Sequence, residues 1–101
     1  MDERFREIAQ QLEQRSPVNI DGTLFTVSIT SIREIQTHAH VEDRVRVHVL
    51  AESPTGQWHP YGVFETSAKH LAEPDYIADQ AIQTVMQIVR GQFPPGARRS
   101  L

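Results

Sequence analysis

The chain has 101 residues, no cysteine and a formal charge of −3. That length makes one domain, able to bury a core without metal or disulfide staples. The missing thiols exclude a disulfide framework, a thiolate zinc site and a cysteine nucleophile, and the acidic balance argues against a bulk nucleic-acid binder, whose footprint is basic.

No apolar run approaches the roughly 18 residues of a membrane span. The start Met1-Asp2-Glu3-Arg4 is unlike a signal peptide, so the expected location is the cytoplasm. Of the ten basic residues nine are arginine, Lys69 being the lone lysine. Arginine suits directional contacts with carboxylates and phosphates.

Residues 2–15 read as an amphipathic helix. Phe5, Ile8, Ala9 and Leu12 follow the i, i+3, i+4, i+7 spacing of one apolar stripe. Asp2 is placed to cap it, and Pro17 stops it by restricting Ser16. Asp21-Gly22 between Val18-Asn19-Ile20 and Thr23-Leu24-Phe25 is a hairpin signal, since both turn positions tolerate positive φ. The second arm alternates at Phe25, Val27 and Ile29, then Ile32 and Ile35 break parity. A β-bulge near Thr30-Ser31 accounts for that break.

Strand three spans about 43–52. Val45, Val47, Val49 and Ala51 take one face, while Arg44, Arg46, His48 and Glu52 take the other. Ser53-Pro54-Thr55-Gly56 turns the chain into strand four, about 57–65. Pro60 cannot donate to a ladder, which makes that strand an edge. Ser67 is placed to cap a short helical turn through Ala72. Pro74 opens the main helix at its first position, and Gly91 ends it. Pro94 onward carries no apolar pattern and reads as a mobile tail.

The expected fold is therefore α+β: a four-stranded antiparallel meander in the order α-β-β-β-β-α-α, with both main helices on one face. Residues 1–93 form the single domain and 94–101 a flexible tail. The expected core is Phe5, Ile8, Leu12, Phe25, Val27, Ile29, Val45, Val47, Val49, Ala81, Ile82, Val85 and Ile88.

The open sheet face carries the candidate binding surface: Arg44, Arg46, His48 and Leu50 from strand three, with His59, Tyr61 and Val63 from strand four. Arginine and aromatic residues together suit a protein interface, with a partner protein or a second copy. They also suit single-stranded nucleic acid, through backbone attraction and base stacking. Glu34, Glu52 and Glu65 stand ready for cross-strand pairing that would leave this face a plain solvated one.

His38, His40 and Glu42 share a side of an extended chain, and imidazole plus carboxylate suits a divalent metal. A loop without a supporting shell is a poor metal site, so the expected reading is a polar loop with no metal. Trp58-His59-Pro60-Tyr61 could line a small pocket, or simply close the end of the core. There is no Gly-Xaa-Ser-Xaa-Gly elbow, phosphate loop or His-Glu-Xaa-Xaa-His. The expectation is a non-enzymatic protein without a cofactor.

The order helix, strands, helix matches the double-stranded RNA-binding domain in topology only. The segment that should be lysine-rich is the acidic Ala72-Glu73-Pro74-Asp75-Tyr76. The Asn19–Gly22 hairpin, the four-strand meander and the helices Ser67–Ala72 and Pro74–Arg90 together resemble the α+β roll of small conserved cyanobacterial proteins connected with regulation of biofilm formation. That family shows a further helix before its sheet, for which only 15 residues are available here. The resemblance implies a regulatory, non-enzymatic role and assigns no residue.

Overall fold

The computed structural model describes residues 3–36, 42–56 and 58–101. The elements are α1 (Glu3–Arg15), β1 (Val18–Ile20), β2 (Thr23–Ile35), β3 (Arg44–Glu52), β4 (Tyr61–Ser67), a 3-10 helix (Ala68–Ala72), α2 (Pro74–Val89) and β5 (Arg98–Ser100). The class is α+β. The sheet has five strands in the order β1-β2-β3-β4-β5, antiparallel except that β5 runs parallel to β4.

Local chemistry accounts for the β1–β2 turn. Asp21 and Gly22 both adopt positive φ, 51° and 94°, and the Gly22 amide donates to Asn19 Oδ1 at 2.9 Å. Asparagine, aspartate and glycine are the residues that accept this geometry at little cost. The bulge falls where the isoleucine parity breaks, with Ile29 opposite Val49 and Ser31 opposite His48. The extra residue returns Ile32 to the side of Val47, its register partner.

That side holds the core. Val45, Val47, Val49, Ala51 and Phe64 from the sheet pack with Ile8 and Leu12 of α1 and Ile77, Ala78, Ala81 and Val85 of α2. Both helices thus cover one face, as the apolar stripes require. Three expected core members are only half-buried: Phe5, Ile29 and Ile82. Ion pairs tie the frame together at its rim. Arg90 at the end of α2 grips Asp21 in the first turn at 3.1 and 3.2 Å, and Arg15 pairs with Asp75 and Asp79 across the two helices.

Two expectations about the end of the chain are corrected. Residues 98–100 are a strand rather than a patternless tail. The Gly96 amide donates to the Tyr61 carbonyl, and the Leu101 amide to the Glu65 carbonyl, each at 2.9 Å. Strand four is consequently not an edge. Pro60 lies just before it, and its carbonyl accepts from Ala51 N–H at 2.9 Å. The proline therefore lacks only a donor that β4 never needs there. Ser67 precedes the 3-10 helix as expected but makes no side-chain cap.

Candidate functional site: the open face of the sheet

The face away from the helices is built in rows, because residues opposite each other in a register share a face. Arg33, Arg46, Glu65 and Ser100 make one row. Ser31, His48, Val63 and Arg98 make the next, and Ser28, Leu50 and Tyr61 the third. Of the seven residues expected on this surface, four stand on it with solvent access: Arg46, His48, Leu50 and Tyr61.

The other three are placed differently. Arg44 is 4% exposed. Its guanidinium donates to the Leu101 main-chain oxygen at 2.8 Å, the Glu65 carbonyl at 3.3 Å and Ser100 Oγ at 3.4 Å. It is an internal anchor for β5, not a presented charge. Val63 is likewise only 4% exposed, since β5 lies along its flank with Arg98 as its partner. His59 turns away from the sheet, its Nε2 meeting the Gly56 carbonyl of its own turn at 3.0 Å.

The arginine row is only partly neutralised. Arg46 Nε donates to Glu65 Oε2 at 2.7 Å, and Arg98 Nη1 lies 3.7 Å from the same oxygen. Glu65 thus serves two guanidinium groups. Arg33 stands directly opposite Arg46, is exposed, and makes no ion pair among the described residues. Like charges opposite each other on a sheet repel. Glu52 sits at the far end, opposite Thr26. Glu34 lies on the other face, because the bulge inverts the parity read from the first half of β2.

His48 reports the field of this row. Partial burial, then Arg33, then Arg46 hold its pKa below the ordinary 6.5. Its Nδ1 shares a hydrogen bond with the Tyr61 hydroxyl. A positive potential and a neutral imidazole–phenol pair therefore sit side by side, with Leu50 next to Tyr61.

Sequence reasoning missed Arg33 and Arg98. Arg98 falls in a segment without strand pattern, while Arg33 follows a bulge that the isoleucine pattern locates but does not orient. His38 and His40 lie outside the described residues. Among the described residues no group of histidine and carboxylate side chains is arranged to hold a metal ion. Trp58 meets the Phe25 ring edge-on, with centroids 6.1 Å apart, and covers that end of the core. No helix among the described residues is long and apolar enough to cross a membrane.

Comparison of the chain with protein-family models, with curated protein sequences and with solved structures finds no match to any of the three.

Proposed function

We propose that the protein is a non-enzymatic binding module that presents the open sheet face to an acidic surface of a protein partner. The observation that carries this reading is the charge imbalance of the face. Arg33, Arg46 and Arg98 surround a single shared carboxylate, Glu65, beside Leu50 and the 38%-exposed Tyr61. A partner carboxylate at Arg33 would relieve the Arg33–Arg46 repulsion, and an apolar group would cover Leu50 and Tyr61. Interfaces combine aromatic and arginine anchors in this way.

Arg33→Glu is the decisive substitution, because Arg33 is exposed and its loss breaks no ion pair among the described residues. A partner captured by the wild-type chain should be lost from Arg33→Glu and weakened by Tyr61→Ala. Retention of the same partner by both variants would remove the open face from consideration. The resemblance in element order adds a regulatory role tied to biofilm formation, which a deletion strain scored for surface attachment tests.

A further inference from the structure

β2 has a second feature, independent of the open face: one of its two edges is largely bare. β3 covers one edge over residues 26–35, whereas β1 covers the other only along Thr23–Phe25. The register decides which groups point to the bare side. Ala51 N–H is turned toward β4, where it meets the Pro60 carbonyl. Leu50 therefore faces β2 and Ser28 faces Leu50, which leaves Val27 and Ile29 directed outward. Ser16 Oγ accepts the Val27 amide at 3.3 Å. Beyond the bulge, Ser31, Arg33 and Ile35 pair with His48, Arg46 and Arg44, so Ile32 and Glu34 face outward. The amides of Ile29, Ile32 and Glu34 have no strand partner among the described residues.

α1 runs antiparallel beside this edge and makes a groove with it. A cleft of about 280 Å³ lies between Ala9, Leu12 and Glu13 on the helix and Val27 and Ile29 on the strand. A second, of about 150 Å³, lies further along between Phe5, Ile32 and Glu34. The core is incomplete along this line. The β3 valines are 0% exposed, but Ile29 and Ile32 are half-covered.

Bare amides and carbonyls at strand spacing beside an apolar cleft are met by one kind of occupant, an extended peptide backbone. Charge narrows it further. Glu13 borders the larger cleft and Glu34 the smaller, and neither makes an ion pair among the described residues. Arg4 is the single basic residue lining either cleft. A second copy of the chain fits less well. Antiparallel pairing of β2 with itself keeps like faces together, so it would bring another Glu34 to the acidic side and set two bulges into one ladder.

The geometry points to a strand-addition groove. An extended segment of another protein, with alternating apolar side chains and at least one lysine or arginine, pairs with the open edge of β2. Its apolar side chains seat against Ile29 and, further along, Phe5 and Ile32, which are half-covered. The bulge and the charged Arg33-Glu34 pair keep this edge from indiscriminate pairing.

Panning the whole protein against a displayed library of random peptides, about eight residues long to match the bare edge, tests the groove. The expected enrichment is for alternating apolar sequences carrying Lys or Arg, with amide exchange slowed at Ile29, Ile32 and Glu34 in the complex. Ala9→Trp, at an exposed helix position on the cleft rim, should lower the affinity of a selected peptide about tenfold or more without shifting the unfolding midpoint. Glu13→Lys with Glu34→Lys should turn the selection toward Asp and Glu. Absence of enrichment, protection of other amides, or protection of the β2 edge by self-association without peptide would overturn the proposal.

Discussion

Arg44 of β3 donates a hydrogen bond of 2.8 Å to the main-chain oxygen of Leu101, the residue after β5. On the opposite face of the sheet, Arg99 donates to Thr84 Oγ1 of α2 at 2.7 Å. Burial lowers the Arg99 pKa from its ordinary value, without bringing arginine near neutrality. Two arginines therefore hold a strand that has almost no apolar content of its own. Arg44→Met keeps comparable bulk and removes the donors. The expected cost is about 1–3 kcal/mol, the range for buried hydrogen bonds that involve a charged group. Trypsin should then cut faster at Arg98 and Arg99, while cleavage elsewhere changes less. Unchanged proteolysis would mean that pairing to β4 alone holds β5.

Gly62 is required for space rather than for backbone freedom. A Cβ there would lie 2.5 Å from Thr84 Cγ2 and 3.0 Å from Ile88 Cδ1, closer than packed carbons tolerate. Gly62 lets α2 approach β4, and Thr84 and Ile88 fill the gap. Gly62→Ala should destabilise by about 1–3 kcal/mol, as over-packing of a filled core does. Thr84→Ser deletes the offending methyl while keeping the hydroxyl that bonds the Gln80 carbonyl at 2.7 Å and accepts from Arg99. The double variant should recover part of the loss, giving a coupling between the sites in a denaturant cycle. Strict additivity would place the strain elsewhere.

His48 gives the protein a pH dependence of known sign. Its folded pKa lies below 6.5 because of partial burial and the nearby Arg33 and Arg46. As pH falls past 6.5 the unfolded chain takes up a proton that folded His48 still refuses. Its contribution to stability is therefore complete above that value and is lost as pH falls through the folded pKa. An NMR titration of the wild-type ring should show the depressed pKa, and Arg33→Gln should raise it by removing one of the two positive neighbours. His48→Gln should flatten the fall of stability between about pH 7 and 5. A titration midpoint at or above 6.5 would contradict the arrangement.

The antiparallel part of the fold is legible in the sequence because each element is encoded locally. The valines of β3 alternate, Asp21-Gly22 fits only a turn, and the parity break from Ile29 to Ile32 marks the bulge. β5 is illegible for the opposite reason. Arg98-Arg99-Ser100 carries no strand pattern, and what fixes it is two arginines, Arg44 and Arg99, acting across long separations in the chain. The same gap misplaced Arg44 and Val63. An outward parity says which face a residue occupies, but not that a later strand will cover it. Arg33 was missed because a bulge resets parity by one residue, a shift that exchanges the faces of everything beyond it.

Single-stranded nucleic acid is the rival occupant of the open face, and the arrangement of its charges opposes it. A nucleic-acid track needs several free cations spaced along a backbone, with rings on which bases stack. Of the groups expected to supply it, Arg44 is buried on the Leu101 oxygen and His59 is held to the Gly56 carbonyl. Arg46 is bonded to Glu65, and His48 is held toward neutrality. Among the described residues, Arg33 is the cation without an ion pair on the row, and Tyr61 the exposed ring. Three arginines against one carboxylate leave a net charge of about two, which releases about two counterions and gives a salt slope near −1.4, too shallow for useful affinity. Titration of labelled oligonucleotides at low salt should show no binding up to about tens of micromolar, a concentration at which ordinary non-specific binders already respond. Saturable binding that weakens steeply with salt and disappears in Tyr61→Ala would instead assign the face to nucleic acid and displace the acidic protein partner.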